Sequence, residues 1–399
     1  MAKKIVTDLD VAGKKVIVRV DFNVPHKGDV ITDDNRIRAA LSTINYLIDN
    51  KAKIILLSHL GKINHKDPEK TPVDMAKNDM AIVAKRLQEL VPNSHVTFVD
   101  QTRGEKLEKA VAELQAGDIV LMQNTRYEKG ETKNDPELGT YWASLGDLYV
   151  SDAFGSVHRA HASTVGIPSH LPSAVGFLIQ RELSYLGKAV DEPKRPFVAV
   201  LGGAKVSDKI AVIENLLKIA DKVIVCGGMA YTFAKAKGYN VGNSLLEEDK
   251  VAIAKEFMEK GGEKLLLPLD NVIANDFDNP TEIKTVDVDS IPDGFMGLDI
   301  GPKTIEYFTK ELAGAKTVFW NGPMGVFEKS EFAVGTIGIC KAIAGLDDCM
   351  SIIGGGDSAS AAKNLGYADK FSHISTGGGA SLQYMEGNEL PGIAIIEEK

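Results

Sequence analysis

The sequence predicts an α/β protein of two similar-sized, doubly wound, Rossmann-like lobes, each built on a parallel sheet and joined by a connecting helix. The chain has 399 residues, which is more than one hydrophobic core usually serves. Short β-branched runs alternate with helix-period patterns along its whole length. The runs are continuously apolar, which is typical of parallel strands covered by helices on both faces.

Each half of the chain repeats this alternation. The strands predicted in the front half are "KVIVRV", "KIILLS", "VTFV", "DIVLM" and "LYVS". Those predicted in the back half are "FVAVL", "KVIVC", "KLLLP", "TVFW", "SIIG" and "SHIS". Each run is followed by Gly, Asn, Asp or Ser and then by a helical pattern, so crossovers between parallel strands are expected.

A polar, helix-prone segment lies between the halves. Within "QRELSYLGKAVDEPKRP", the part "RELSYLGKAV" has a helical pattern, and Pro193 and Pro196 end it. The sequence therefore predicts an N-terminal domain over residues 1–178, a connecting helix or hinge over 179–192, and a C-terminal domain over 193–384.

The two halves differ sharply in composition. All nine arginines lie at or before Arg195, and seven of the eight histidines lie at or before His170. Of the 38 glycines, 26 follow residue 200. The front half can thus present cationic side chains and the back half bare backbone, which predicts two lobes with different ligands.

Charge and cysteine content exclude several classes of protein. The net charge of −9 argues against a nucleic-acid binder, and no apolar run is long enough to span a membrane. The three cysteines (Cys226, Cys340 and Cys349) have neither disulfide-framework nor zinc spacing. The start "MAKKIVTDLD" lacks the apolar region of a secretory signal. We expect a cytoplasmic chain and, since nothing indicates a dimer interface, a monomer.

Glycines follow four predicted strands of the back half, at Gly202–Gly203, Gly227–Gly228, Gly354–Gly356 and Gly377–Gly379. Ligands of open α/β sheets bind at the carboxyl ends of the strands, where glycine lets backbone N–H groups approach phosphates. One such turn alone is most simply a tight connection, but four in one lobe predict a nucleotide site. The back half contains neither G-x-G-x-x-G nor G-x-x-x-x-G-K-[ST], so its glycine turns match neither of the two common phosphate-binding loops.

Two carboxylates of the back half, Asp357 and Glu328, each allow two interpretations. Asp357 could ligate Mg²⁺ or, with Ser358, cap the helix that begins in "GGGDSASAAKN". Glu328 could accept hydrogen bonds from a ribose or be a solvated loop charge. Lys205 and Lys209 are four residues apart, so a helical turn would place them on one face.

The front half places cationic residues after its strands. Arg36, Arg126 and Arg159 are expected to converge on a small anion, because guanidinium forks fit phosphate and carboxylate groups. His59 and Lys62 join this set, while Asp21 and Asn23 suit a substrate hydroxyl. Arg36 and Arg38 are two residues apart in a predicted helix, so they cannot both face one bound anion. The histidines of "HRAH" have no carboxylate or cysteine at metal-binding spacing, so a metal site is not expected there.

These features together predict phosphoryl transfer between a nucleotide and a small phosphorylated acid, which needs positioning more than covalent chemistry. Another two-lobed small-molecule kinase would require a carboxylate base. A bilobed binding protein is disfavoured by the paired lysines and by the absence of a signal peptide.

The chain also resembles the phosphoglycerate kinase family over nearly its whole length. The motifs that carry the resemblance occur in order: "VRVDFNVP", "NRIRAA", "SHLGK", "NTRYEKGE", "DAFGSVHRAHAS", "GGAKVSDKI", "GGMAYTF", "GLDIGP", "WNGPMGVFE", "GGGDS" and "STGGGASLQYMEG". Each is long and specific. The resemblance implies a hinge-bending kinase whose tail, residues 385–399, packs on the N-terminal lobe.

The resemblance further implies reversible, Mg²⁺-dependent transfer from 1,3-bisphosphoglycerate to ADP, which gives 3-phosphoglycerate and ATP. The implied substrate-binding residues are Asp21, Phe22, Asn23, Arg36, His59, Leu60, Gly61, Lys62, Arg126 and Arg159. The implied nucleotide-binding residues are Gly203, Ala204, Lys205, Lys209, Gly227, Gly228, Gly297, Asn321, Glu328, Gly354, Gly355, Gly356, Asp357 and Ser358. The implied catalytic residues are Arg36, Lys205 and Gly356, and Asp357 would bind the metal.

Two positions depart from the family pattern. Lys62 and Ile63 stand where arginine and proline are usual, so a point charge replaces a directional fork. Gln123 stands where glutamate is common, and the sequence assigns it no role.

Overall fold

The computed structural model describes residues 2–399, which form two compact units. The first extends to Leu183 and includes Glu389–Lys399, and the second is Ser184–Asn388. The division falls inside a helix that spans Phe177–Asp191, whereas the sequence placed the connecting helix at 179–192. The assignment of the two predicted domains to separate ligands stays a prediction.

The first unit is built on a six-stranded parallel sheet. The eight strands of the first unit are β1 (Lys15–Val20), β2 (His26–Lys27), β3 (Val30–Ile31), β4 (Lys53–Leu57), β5 (Val96–Val99), β6 (Ile119–Met122), β7 (Leu148–Asp152) and β8 (Ser173–Val175). The sheet order is β5-β6-β4-β1-β7-β8, and β2 and β3 form a separate hairpin. All five predicted strands are present. The sequence did not predict β2, β3 or β8, because runs of two or three residues carry no periodicity.

Helices cover this sheet and complete its core. They are α1 (Asn35–Asp49), α2 (Lys70–Lys77), α3 (Ala81–Leu90), α4 (Glu105–Ala112), α5 (Pro136–Ala143) and α6 (Phe177–Asp191). Residues such as Val18 of β1, Ile54 of β4 and Ile44 of α1 belong to one buried apolar cluster. Burial of such side chains contributes about 1.5–3 kcal/mol each, so the sheet is a rigid support for the loops at its edges.

The second unit contains nine strands in two sheets. They are β9 (Phe197–Leu201), β10 (Lys222–Val225), β11 (Leu265–Leu266), β12 (Asp270–Ala274), β13 (Ile283–Asp287), β14 (Met296–Ile300), β15 (Thr317–Asn321), β16 (Met350–Ile353) and β17 (His373–Ile374). Six of them form the parallel sheet that the sequence predicted, and its strand order is β11-β10-β9-β15-β16-β17.

The helices of the second unit surround its parallel sheet. They are α7 (Ile210–Ile219), α8 (Ala230–Ala236), α9 (Val251–Gly261), α10 (Pro302–Leu312), α11 (Val334–Ala344), α12 (Gly356–Asn364) and α13 (Gly378–Met385). Trp320 of β15 and Phe308 of α10 are fully buried in the main apolar cluster.

An antiparallel sheet in the second unit was not predicted. Its order is β13-β12-β14, and it packs residues such as Ile273 against Tyr231 of α8. Its strands, "DNVIA", "IKTVD" and "MGLDI", mix polar and apolar residues and so lack the continuous apolar pattern that identified the parallel strands. In β13, exposed and half-buried residues alternate, as in a strand with one solvated face.

The C-terminal tail ends the first unit with a short helix, α14 (Pro391–Ala394). The Lys3 Nζ donates to the carbonyl oxygens of Ala394 (3.0 Å) and Ile396 (2.8 Å). Lys4 forms an ion pair with Glu397 at 2.6 Å. Across residues 2–399, no helix combines the length and the apolar character needed to cross a bilayer.

Candidate active site

In the first unit, the predicted anion-binding residues follow four adjacent strands. Asp21–Asn23 follow β1, His59–Lys62 follow β4, and Arg126 and Arg159 follow β6 and β7. Because β6, β4, β1 and β7 are neighbours and parallel, their carboxyl ends share one sheet edge. We call the set Arg36, His59, Lys62, Arg126 and Arg159 the basic edge.

Helix α1 directs Arg36, and not Arg38, to this edge. Arg36 is the second residue of α1, and its Nη1 donates to Oδ2 of the buried Asp21. The Nε of Arg38 instead donates to Asp34 at 2.9 Å. The backbone of Asn23 donates to the other Asp21 oxygen at 3.2 Å, so the Asp21 carboxylate connects α1 with the loop after β1.

A buried side chain that sequence reasoning missed, Asn124, joins the loops after β4 and β6. Its Oδ1 accepts from the backbone N–H groups of Leu60 (3.2 Å) and Arg126 (3.0 Å). Its Nδ2 donates to the Leu60 carbonyl at 2.7 Å. The signal for it was present, since Asn124 directly follows a buried strand in the quoted "NTRYEKGE".

Backbone contacts at Gly61 bring Asn23 and Arg126 together. Asn23 Oδ1 accepts from the Gly61 N–H at 2.8 Å, and Arg126 Nη1 donates to the Gly61 carbonyl at 2.7 Å. The side chains of Phe22 and Leu60 are fully buried in the core. Neither side chain is therefore available to a ligand.

Gln123, to which the sequence assigned no role, connects this region to helix α3. Its Oε1 accepts from the backbone N–H groups of Met80 (3.0 Å) and Asn124 (2.8 Å). Its Nε2 donates to Asp79 at 2.9 Å. A glutamate here would place a carboxylate against Asp79, so the amide fits this surrounding better.

The basic edge is strongly electropositive. Burial, and then the charges of Arg19, Arg126 and Arg36, hold the pKa of His59 well below its usual range. Burial followed by Arg19 and Arg126 lowers the pKa of His161 to about 4. The pKa of Arg126 is also lowered, by burial and then by Arg19 and Arg159. The histidines thus stay neutral among arginines, an arrangement that favours an anion.

Arg19 contributes to this field and was also missed. It lies in β1 and is only 1% exposed. The available signal was its position, because a charge within the apolar run "KVIVRV" requires a buried partner.

Lys62 and Arg159 are the exposed members of the basic edge. Lys62 lines an open recess of about 430 Å³ together with Asp74, Lys77 and Asn78. Arg159 lies close enough to lower the pKa values of both Arg126 and His161. Both side chains are therefore accessible to a ligand.

In the second unit, the predicted glycine loops meet at the carboxyl edge of the parallel sheet. We call residues 202–209, 227–228, 321–323 and 354–357 the glycine edge. The Gly202 N–H donates to the Asn321 carbonyl at 2.8 Å, and the Met229 N–H donates to the Gly203 carbonyl at 3.1 Å. A Cβ on Gly202 would lie 2.0 Å from the Pro323 carbonyl oxygen, so only bare backbone fits here.

Helix α12 begins two residues earlier than a cap at Asp357 would require. Its N-cap is Gly355, whose φ of +102° suits glycine, and Asp357 and Ser358 lie in its first turn. The alternative interpretation, in which these two side chains cap the helix, is therefore wrong. Ser358 is buried, and its Oγ accepts from the Gly322 N–H at 2.7 Å. The Asp357 carboxylate is exposed.

The two lysines of the glycine edge do not stack on a helical face, which corrects the sequence-based expectation. Helix α7 begins only at Ile210, after both of them. Ser207 donates from its N–H (3.1 Å) and from its Oγ (2.5 Å) to Glu247, which holds the segment as a loop. Lys209 donates to Asn321 Oδ1, and burial lowers its pKa, whereas Lys205 is exposed.

The other predicted nucleotide residues surround this edge. Asn321 Nδ2 donates to the Gly354 carbonyl at 2.6 Å, and Gly228 lies against the backbone of Ala204. Gly297 lies on β14, where a Cβ would be 2.1 Å from the Tyr231 hydroxyl. Glu328 is exposed in the loop after β15.

Within residues 2–399, no group of three or more His, Cys, Asp or Glu side chains could hold a metal ion. Mg²⁺ typically uses one or two carboxylates together with phosphate oxygens and water. The exposed Asp357 of the glycine edge fits a metal ion that arrives with a nucleotide, and it does not fit a metal ion held by protein alone.

Comparison with known proteins gives one consistent family. The family model described as "Phosphoglycerate kinase" matches residues 6–388. A phosphoglycerate kinase of Listeria welshimeri is 61% identical, and one of Enterococcus faecalis is 60% identical, each with full coverage of both chains. The solved phosphoglycerate kinase of Coxiella burnetii is 38% identical, covers 98% of both chains and has a TM-score of 0.88. That of Pyrococcus horikoshii is 32% identical, with 99% of this chain and 98% of that one covered and a TM-score of 0.83.

The matches include the basic edge of the first unit and the glycine edge of the second. The chain therefore belongs to the phosphoglycerate kinase family.

Proposed function

We propose that this chain transfers a phosphoryl group reversibly from 1,3-bisphosphoglycerate to ADP, giving 3-phosphoglycerate and ATP in glycolysis and gluconeogenesis. The observation that carries the proposal is the pairing of a basic edge in one unit with a glycine edge in the other. Each occupies the carboxyl end of a six-stranded parallel sheet, where α/β proteins bind ligands.

The basic edge binds the phosphoglycerate. Arg36, Arg126 and Arg159 supply guanidinium forks for its phosphate and carboxyl groups, and Lys62 supplies a point charge. Asp21 and Asn23 face the substrate hydroxyl. The neutral His59 adds a hydrogen-bonding group without further repulsion among the cations.

The glycine edge binds the nucleotide. Backbone N–H groups around Gly203, Gly228 and Gly355, together with the N-terminus of the nine-residue helix α12, favour phosphate oxygens. Lys209 contacts the nucleotide phosphates, Lys205 follows the transferred group, and Glu328 receives the ribose. Bound Mg²⁺, with Asp357 as its protein ligand, would neutralise charge on the phosphate oxygens.

The chemistry needs no general base on the protein. The acceptor is a carboxylate in one direction and a diphosphate in the other, so direct in-line transfer depends on positioning and charge neutralisation. We expect the two units to close on one another before transfer, because water would otherwise hydrolyse the substrates. We further propose a cytoplasmic, monomeric enzyme that binds no nucleic acid.

Arg36→Ala tests the placement of the substrate. The variant should lose about 10²- to 10³-fold in kcat/KM for 3-phosphoglycerate, the size of an electrostatic contact made in the transition state. Arg38→Ala is the matched control, since it lies on the same helix but contacts Asp34. Steady-state kinetics with near-normal kcat/KM for Arg36→Ala would contradict the placement.

A further inference from the structure

We propose that Glu131 and Ser163 are positioning residues that act through Arg19 to fix the tautomer and orientation of His59. The inference rests on the proposed function in one respect, because it takes His59 to be a group that binds phosphoglycerate. Glu131, Ser163 and Arg19 were not among the site residues predicted from the sequence, and all three are buried.

The four side chains form an unbroken path of hydrogen bonds. Arg19 Nη2 lies 3.1 Å from His59 Nδ1, and Arg19 Nε donates to Ser163 Oγ at 2.8 Å. Ser163 Oγ lies 2.5 Å from Glu131 Oε1, and the Ser163 N–H donates to Glu131 Oε2 at 3.0 Å. Ser163 lies in a single π-helical turn, Ala162–Gly166.

The direction of donation along the path is determined by chemistry. A guanidinium group donates hydrogen bonds and cannot accept them. His59 Nδ1 must therefore be an acceptor, which leaves the ring proton of the neutral imidazole on Nε2. Ser163 Oγ must accept from Arg19, so its own proton points to Glu131.

The far end of the path is suited to a carboxylate. Both oxygens of Glu131 accept hydrogen bonds, one from the Ser163 hydroxyl and one from its N–H. A buried Arg19 needs nearby negative charge, because an isolated ion in the interior is strongly disfavoured. Burial raises the pKa of the fully buried Glu131, but Arg19 and the two hydrogen bonds from Ser163 oppose that rise and favour the carboxylate. Glu131 then supplies the negative charge through the hydroxyl of Ser163.

The tautomer matters because the ligand is an anion. With its proton on Nε2, His59 offers an N–H donor to a carboxylate or phosphate oxygen. The opposite tautomer would present a lone pair, which repels such an oxygen. The Nε2 of His59 makes no hydrogen bond within residues 2–399, so it is available to a ligand.

Nitrogen NMR of the full chain labelled with [¹⁵N]histidine tests the proposal directly. The His59 signals are assigned by their loss in His59→Gln. In the ligand-free wild type, we expect Nδ1 to resonate as an unprotonated imidazole nitrogen and Nε2 as a protonated one. A protonated Nδ1 in the wild type would overturn the proposal, whether or not any variant folds.

Two variants break the path, and a third is the matched control. Ser163→Ala and Glu131→Gln should bring the two His59 signals towards each other, as tautomers mix. The control, Tyr149→Phe, also removes a buried hydroxyl. That hydroxyl donates to the Ser163 carbonyl at 2.8 Å and does not belong to the path between Glu131 and His59. Tyr149→Phe should leave the signals in place. Unchanged signals in both path variants, or an equal change in Tyr149→Phe, would contradict the proposal.

Kinetics separate this inference from the proposed function. Ser163→Ala should raise KM for 3-phosphoglycerate roughly tenfold, the effect of one hydrogen bond to a charged group, with little change in kcat. Mixed tautomers with a raised KM would support both ideas. Mixed tautomers with an unchanged KM would uphold the path through Arg19 and contradict the placement of His59 in the substrate site.

Discussion

At the residue scale, Lys205 and Lys209 occupy different surroundings on the glycine edge. Lys209 is partly buried and held by Asn321, whereas Lys205 is exposed on a loop before α7. A tethered lysine suits a bound phosphate, and an untethered one can follow a group that moves. The two charges are therefore expected to have separate kinetic effects.

Alanine substitutions should reveal this division. Lys205→Ala should lower kcat by about 10²-fold or more and change KM for ADP little, because its contact strengthens in the transition state. Lys209→Ala should mainly raise KM for ADP. Equal losses of kcat and ADP affinity in Lys205→Ala would make it an anchor like Lys209.

Lys62 allows a second residue-scale prediction, because an ammonium group occupies a position where the family usually has a fork. Lys62→Arg should lower KM for 3-phosphoglycerate by about two- to tenfold, the gain of one charge-assisted hydrogen bond. Lys77→Arg, on the same recess, should leave KM unchanged. A KM for Lys62→Arg that stayed constant or rose would contradict the idea.

Residue types and strand ends were enough to predict which side chains gather at the two edges. They did not reveal the supporting contacts. Asn124 and Ser163 act through partners that are distant in the sequence, and no local periodicity encodes such pairs. Arg19 was detectable in principle as a charge in an apolar strand, but its partners Glu131 and Ser163 become visible only in three dimensions.

At the element scale, the start of α6 depends on Asp152 at the end of β7. Asp152 Oδ1 accepts from the backbone N–H groups of Leu178 (3.0 Å) and Ile179 (3.4 Å), and its Oδ2 is buried without a hydrogen-bond partner. Burial raises the pKa of Asp152 to about 7. The carboxyl group therefore keeps its proton in the folded chain at pH values where the unfolded chain has lost it.

Stability should consequently fall as pH rises between about 4 and 7, by up to about 1.4 kcal/mol per pH unit from this group. Asp152→Asn cannot ionise, so its free energy of unfolding relative to wild type should increase by about 1–3 kcal/mol between pH 5 and pH 8. Urea unfolding at both pH values measures the difference.

Thr43→Val is the companion variant for this prediction. Thr43 Oγ1 accepts from the Phe177 N–H at 2.9 Å, at the same helix start, and its side chain also lowers the pKa of Asp152. Loss of the hydroxyl should therefore cost more stability at pH 8 than at pH 5, a pH trend opposite to that of Asp152→Asn. A pH-independent difference between Asp152→Asn and wild type would show that Asp152 does not hold a proton in the folded chain.

The sequence predicted the parallel strands correctly but not the antiparallel strands or the loop before α7. Continuous apolar runs predicted the parallel strands, since both faces of those strands are buried. The antiparallel strands β12–β14 were not predicted, because they mix polar and apolar residues. The segment before α7 was expected to be helical from the spacing of two lysines, and contacts to Glu247 hold it as a loop instead.

At the scale of the whole molecule, a chain of net charge −9 presents a local excess of positive charge. Arginine and histidine are concentrated in the first unit and glycine in the second, so each unit has the chemistry for one class of ligand. The overall field opposes anionic substrates, so the proposed function requires short-range contacts at the basic and glycine edges to bind them. Phosphoryl transfer, the proposed activity, requires a ligand of each class.

The most direct measurement is a coupled assay of ATP formation by the full chain with 1,3-bisphosphoglycerate, ADP and Mg²⁺. The account predicts one ATP formed for each 1,3-bisphosphoglycerate consumed, and none when ADP is omitted. Consumption of 1,3-bisphosphoglycerate without ATP, or binding of both substrates without turnover, would contradict the assignment of direct phosphoryl transfer to this chain.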